Sequence, residues 1–441
     1  MLNINKTYFI LFCALIICQL VGVAIIGYLD EIITILLLGL SFFDILYNRR
    51  YKQYMPLIIP LAILTFYLIY TLLFCHFNTT KPVIADFFQH LKVFVYFGAA
   101  YAIAPKFDKQ QKKIIQFLFI TILTIGFIIY LTLVAGYTYF YDIFVNPYYY
   151  GSMFLSATLT YLLFIDSNNW KLVKKNLFAL LLLATIGLTC GRSKYYGTFI
   201  FILFILTIYQ PGKFAKITLK NVILITSLIT ITLIVAWNKI QFYFLNAELA
   251  TNNFDEETLN SFARPALYVG MILTLIDYPL FGSGFASFGT VPSGPEYNYS
   301  SLYEQYGLNN VWGLSIEKSD FIADAFYPGL AQFGLIGIVL FILCLVWLYK
   351  KLKLVHRYNG IVPYIIGVII IIAILIDSTS SRGITSLFGE YLFSIMGIIL
   401  APIAKLSKEE QKELIKQEVT GTSIWNRIFN RKNKEKLIYG K

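Results

Sequence analysis

The sequence predicts an all-α polytopic membrane protein of about twelve transmembrane helices, with both termini cytoplasmic and one long outer loop carrying an interfacial helix. Three observations predict it. Of the 441 residues 58% are hydrophobic and 14% charged, whereas soluble chains run near 45–50% and about 25%. Apolar runs approaching the roughly 20 residues needed to cross a bilayer recur along the chain. Lys and Arg sit in short clusters between those runs, on alternating sides, as cytoplasmic loops require. A soluble globular domain is excluded. The formal charge of +12 is not gathered in any one domain, so it reports topology and points to no nucleic-acid partner.

Taken in order, the spans lie near 8–27, 32–47, 55–77, 84–103, 114–135, 148–165, 176–190, 195–210, 221–238, 327–348, 361–376 and 385–403. The first has only Lys6 before it and no small-residue cleavage pattern after it, so it is expected to be a retained span. With the N-terminus inside, 28 of the 36 Lys and Arg residues fall on the inner side. The outer short loops hold Lys81, Arg192, Lys194 and Arg382. The chain thus divides into nine spans over 1–238, an outer loop over 239–326, three spans over 327–403 and a basic cytoplasmic tail over 404–441. Residues 265–281 are apolar enough to pass for a thirteenth span, but crossing there would put the basic 349–360 loop and the tail outside. An interfacial helix with Arg264 at its head, level with lipid headgroups, is the expectation.

Cys13, Cys18, Cys75, Cys190 and Cys344 form no CxxC pair and no histidine stands near them, so neither a disulfide framework nor a metal site is expected. Phosphate-loop and nucleotide-binding motifs are missing, no cofactor is expected, and energy must come from the substrate or from a gradient. Of the three histidines, His356 is assigned to the inner side and His76 lies near an outer end. His90 shares a span with Asp86 and Lys92, a group readable either as a proton relay or as a mutually satisfied buried cluster.

The outer loop is rich in Tyr, Gly, Ser and carboxylates. Tyr299, Tyr303, Tyr306 and Trp312, interleaved with Asn, Gln and acids, suit a sugar, whose apolar face stacks on rings; a belt of interfacial tyrosines is the competing reading. Arg192, Lys194, Arg264 and Arg382 stand on the side where positive charge is scarce. Guanidinium groups bind phosphate oxygens bidentately and keep their charge in low dielectric, so these four are candidate diphosphate ligands. Pairing with neighbours such as Asp377, or reaching out to headgroups, is their alternative use.

Four segments carry a resemblance to the O-antigen and capsular polysaccharide polymerases, within the wider O-antigen ligase and polymerase superfamily. They are Leu188-Thr-Cys-Gly-Arg-Ser-Lys-Tyr195; Arg264 followed by Pro279-Leu-Phe-Gly-Ser-Gly-Phe-Ala-Ser-Phe-Gly289; Tyr299-Ser-Ser-Leu-Tyr-Glu-Gln-Tyr-Gly307; and the re-entry segment from Ser319 to Gly337. The match covers about residues 186–340, with the span count and the late outer loop. It implies a metal-independent glycosyltransferase of the bacterial cytoplasmic (inner) membrane, joining oligosaccharide repeat units carried on undecaprenyl diphosphate. O-antigen, capsule and exopolysaccharide are all open as products. Membrane lipid, a chain-length regulator and a flippase are the partners the resemblance implies. The ligase branch carries a His-Asn pair before the glycines of the re-entering span. Here that stretch holds Ala323 and Asp324, which favours polymerase over ligase and leaves Asp324, or Asp320, as the candidate catalytic residue. Asp324 would accept the attacking hydroxyl's proton or orient it; capping the re-entering helix is its structural alternative. A ligase-type transferase, a lipid-linked oligosaccharide flippase and an assembly scaffold are the rival functions.

Overall fold

The computed structural model describes residues 3–21, 28–137, 144, 147–164, 185–210, 213–214, 263–358, 360–406 and 409–410, with isolated positions at 223, 226–227 and 230. Most of the spans expected near 176–190 and 221–238, the first part of the outer loop and nearly all of the basic tail lie outside the described residues.

Eleven longer helices follow one another among the described residues: α1 (Ile4–Val21), α2 (Leu29–Asn48), α3 (Met55–Phe74), α4 (Thr80–Ile103), α5 (Lys109–Val134), α6 (Pro147–Phe164), α7 (Ser193–Ile208), α8 (Ala263–Asp277), α9 (Gly334–Tyr358), α10 (Ile361–Asp377) and α11 (Leu387–Ala404). Five helical stretches are long and apolar enough to cross a membrane: those ending at Phe74, Ile103, Val134, Tyr358 and Ala404. The ends follow local chemistry. Asp108 caps α5 by accepting the Gln111 N–H while the Gln111 side chain accepts the Asp108 N–H, and Ser386 caps α11 through the Gly389 N–H. An antiparallel pairing of Tyr209 with Phe214 and Gln210 with Lys213 is the one extended element among the described residues.

Helices α4 and α11 form the centre. Nearly every side chain from Leu91 to Ile103 is buried, and a Cβ on Gly397 would strike the Phe97 carbonyl and the Ala100 side chain. Small residues thus let the two backbones touch, which is how helices gain packing where lipid offers no hydrophobic drive. By contrast α3 and α5 turn Ile59, Phe66, Ile69, Phe117, Ile120 and Ile128 outward. Exposed apolar faces of this extent are costly in water and suited to lipid.

Loops that charge assigned to one side meet at one end. Asn5 Nδ2 donates to the Lys106 carbonyl at 2.8 Å, and Asn3, Asp44, Asn48, Arg50 and Ile103 surround a cavity of about 320 Å³. At the other end Lys194 Nζ donates to the Ser380 carbonyl at 2.8 Å, the Phe326 N–H to the Ser378 carbonyl at 3.0 Å, and Asn78 to the Ala286 and Asn298 carbonyls at 2.9 Å each.

At that second end the described part of the outer loop folds into a lobe with its own small core, built on Leu267, Phe288, Leu302, Tyr303, Val311 and Leu314. Helix α8 is 15 residues long, about 22 Å at 1.5 Å per residue and shorter than the roughly 30 Å hydrocarbon layer. Leu267, Gly270 and Thr274 face the lobe, while Val269, Ile272 and Ile276 are exposed on the opposite face. The Pro279–Gly289 loop then lies backbone to backbone against residues 328–336. The Gly284 N–H donates to the Gln332 carbonyl (2.9 Å) and the Leu335 N–H to the Pro279 carbonyl (2.8 Å). Gly282 (φ +75°) and Gly334 (φ +61°) are required there, because a Cβ on either would run into the other segment's backbone. Two of the motifs behind the resemblance are therefore in direct contact.

The expected grouping of His90, Asp86 and Lys92 is corrected. His90 Nδ1 lies 3.4 Å from Asp86 Oδ1, one helical turn away. Lys92, two residues on, projects from another face of α4 and meets Asp30 (2.5 Å), Glu31 (2.6 Å) and Glu390 (3.9 Å). A helix sends residues i and i+2 in different directions, so no single relay contains all three.

Candidate functional site: a cationic cavity at the lobe interface

Helix α8 opens with Arg264, whose backbone is fixed by Leu267 in the lobe core. Its Nε donates to Asp324 Oδ2 at 2.8 Å, Nη2 donates to the same oxygen, and the guanidinium lies 5.4 Å from the Phe321 ring centroid. Lys194, in the first turn of α7, is 3.2 Å from Asp377 Oδ1 at the end of α10. Asp377 is buried. It therefore pairs with Lys194 across a long sequence separation, and the Arg382 pairing suggested by sequence proximity is not the one formed.

Between these two ion pairs opens a cavity of about 310 Å³, lined by Tyr149, Lys194, Glu296, Asp320, Asp324 and Arg382 among others. Burial raises the Asp324 carboxyl above the usual carboxylate range; Arg264, then Lys194 and Arg192, act the other way. Arg192 is thus within electrostatic reach although it does not line the cavity. All four cations expected to hold a diphosphate stand around Asp324. They arrive from the start of α7, the head of α8 and the loop after α10, three places that sequence distance alone does not connect.

The other candidates separate. Asp320 is 61% exposed and pairs with Lys318 at 2.7 Å, so it stands at the rim. Tyr303 is 0% exposed; its hydroxyl accepts the Gly289 N–H (2.8 Å) and meets Ser293 (2.9 Å), and burial pushes its pKa up to about 12. Tyr299 stacks on it (5.2 Å) and donates to the Leu314 carbonyl at 2.6 Å. Tyr306 donates to Asp277 at 2.8 Å. The expectation that these three rings stack on sugar is corrected for Tyr303, whose faces are enclosed, and the hydroxyls of all three serve the lobe. Trp312, 58% exposed, keeps an open ring and carries Lys318 at 5.7 Å from its centroid. Sequence reasoning missed Glu296 and Tyr149 as cavity walls. Glu296 is one of the carboxylates of the Tyr- and Gly-rich loop, whereas nothing local marks Tyr149 among its neighbouring tyrosines.

No family model matches the chain, and neither a curated protein nor a solved structure matches it.

Proposed function

We propose that this chain is a polysaccharide polymerase of the bacterial cytoplasmic membrane, joining undecaprenyl-diphosphate-linked oligosaccharide repeat units at the outer face. In this reading the chain crosses the membrane about twelve times, both termini are cytoplasmic, and the lobe lies outside. The observation that carries it is the gathering of Arg192, Lys194, Arg264 and Arg382 about one cavity. Lys194 and Arg382 line it with Glu296, Asp320 and Asp324, and Arg264 and Arg192 act on Asp324 beside it, so cationic donors are concentrated at one space. An anion with several oxygens, such as a diphosphate, suits such donors bidentately. A volume of about 310 Å³ is at the lower end of ligand sites, which run from about 300 to 1,000 Å³, and accommodates the headgroup while the lipid tail stays outside.

In the reaction the acceptor hydroxyl oxygen attacks the anomeric carbon of the donor sugar. The carbon–oxygen bond to the diphosphate breaks, and the diphosphate leaves with the electron pair. Arg382 and Lys194 offset the charge that develops on it, the electrostatic contribution positioned cations make to such departures. Arg264, shared with Asp324, swings part of its donor set to the phosphate, and Asp324 orients the hydroxyl. Trp312 offers its exposed ring to a sugar face.

The test is a gel of the source cell's surface glycan and of its lipid-linked pool, from unaltered cells, a deletion, and the deletion complemented with Arg264→Ala. The expected result is collapse of the long-chain ladder to a single attached unit in both altered strains. Long polymer accumulating on the lipid carrier instead makes the protein a ligase-type transferase, and an unaltered ladder sinks both readings.

A further inference from the structure

Behind the cationic cavity lies a smaller one of about 10 Å³, walled by Gln89, His90, Gly289, Thr290, Arg382 and Thr385 among others. That is room for about one water. The two cavities share Val291, Ala323 and Arg382 as walls, so the space that His90 lines adjoins the one where the acceptor would sit.

The histidine is set with care. Its Nδ1 lies 3.0 Å from the Asp86 main-chain carbonyl and 3.4 Å from Asp86 Oδ1. Asp86 is fully buried, and its Oδ2 accepts the Ala286 N–H at 2.7 Å. Ala286 is held at φ +56°, a left-handed backbone that alanine rarely adopts. The imidazole stands edge-on to Phe285 (5.7 Å) and Phe333 (5.1 Å), which fix the ring plane. With Nδ1 committed to Asp86, the proton belongs on Nδ1 and Nε2 is the nitrogen left to accept another. Asp324, the carboxylate in the larger cavity, already takes two donors from Arg264 on one oxygen.

We propose that His90 is the catalytic base of the glycosyl transfer, with Asp86 as its positioning residue; the inference rests on the polymerase reading above. As the acceptor oxygen bonds to the donor's anomeric carbon and the diphosphate departs, the hydroxyl proton passes to His90 Nε2, directly or through the one water of the small cavity. It returns from there to solvent. Asp86 holds the ring in place. The charged and titratable groups that bear on the dyad are Asp86 on the same helix, Arg382 across the small cavity, and Tyr303, a neutral hydroxyl whose ionisation the Asp86 charge opposes.

The test uses the full chain in liposomes, supplied with lipid-linked single units extracted from a deletion strain. The unaltered protein is expected to lose rate on the acid side through one ionisation. His90→Gln is expected to lower the rate about 10²- to 10⁴-fold and to abolish that limb. Asp86→Asn displaces the limb along the pH axis, which a purely structural role would not produce. Independently of whether those variants fold, a His76→Asn, His356→Asn double variant leaves one histidine. Acylation of that imidazole by diethyl pyrocarbonate is expected to inactivate, and the extracted lipid-linked units to protect. A His90→Gln protein that melts with the unaltered one and keeps its rate and pH profile overturns this inference alone, as does acylation of the lone histidine without loss of rate. Failure of the unaltered protein to make polymer overturns the polymerase reading and this inference with it.

Discussion

Two groups of charges are built into this molecule, and they are opposites. Around Lys92, three carboxylates (Asp30, Glu31 and Glu390) converge on one ammonium in the packed centre, where Glu390 is 1% exposed. Around Asp324, four cations gather with several carboxylates at the edge of a cavity. The first group ties α2 and α11 to α4. The second borders a space of about 310 Å³. The comparison teaches that ionisable residues among apolar helices are candidates for a site where they border a space that something can enter; elsewhere ion pairs position helices.

Lys92→Met breaks the comparison most severely. Removing one partner of a buried ionic cluster leaves the rest unpaired, and about 3–5 kcal/mol of stability should go, read as a large fall in the melting temperature of the detergent-solubilised protein. A variant that melts normally yet makes no polymer would move the site to Lys92. Next in size is Arg382→Ala. Losing one positioned cation should slow polymer formation about 10²- to 10³-fold, the scale of a lost charge-stabilising donor, with the melting temperature little changed. A large drop in melting temperature at normal activity would make Arg382 structural.

A smaller effect concerns acid. Burial raises the Asp324 carboxyl, so it takes up its proton at higher pH than an ordinary carboxylate. Below that point Asp324 is neutral, Arg264 is released, and the cavity carries one more positive charge. Binding of sulfate, whose own charge is fixed over this range, should therefore tighten as pH falls, and Asp324→Asn should bind tightly at every pH. Calorimetric titration across the mildly acidic range decides it; an Asn variant that keeps the pH dependence assigns the dependence to another group. The smallest effect separates the rings of the lobe. Tyr303→Phe loses two buried hydrogen-bonding contacts and should cost about 1–2 kcal/mol of stability, whereas Trp312→Ala should leave melting unchanged and weaken glycan binding. Equal melting losses in both would place Trp312 in the lobe's packing as well.

Much of the fold was legible because its causes are local. Apolar length marks the helices ending at Phe74, Ile103, Val134, Tyr358 and Ala404, and the short apolar helix expected at 265–281 is present as the 15 residues of α8. The candidate site was legible only in its residue types. Arg192, Lys194, Arg264 and Arg382 stood out as positive charge on the side that lacks it, a property of sequence and topology together. That Lys194 meets Asp377, that Arg264 is taken up by Asp324, and that His90 and Lys92 part company are facts of packing, invisible to any window of neighbouring residues. Tyr303 makes the same point in reverse: composition offered its ring to a sugar, and the lobe closed over it.

The sequence by itself determined that the chain is helical, apolar along most of its length and sided by charge, since hydrogen-bond satisfaction in lipid and the placement of Lys and Arg act residue by residue. The tertiary structure decided which charges face one another and which stay open. Whether an ion is spent or available depends on partners from distant segments and on the space left between them.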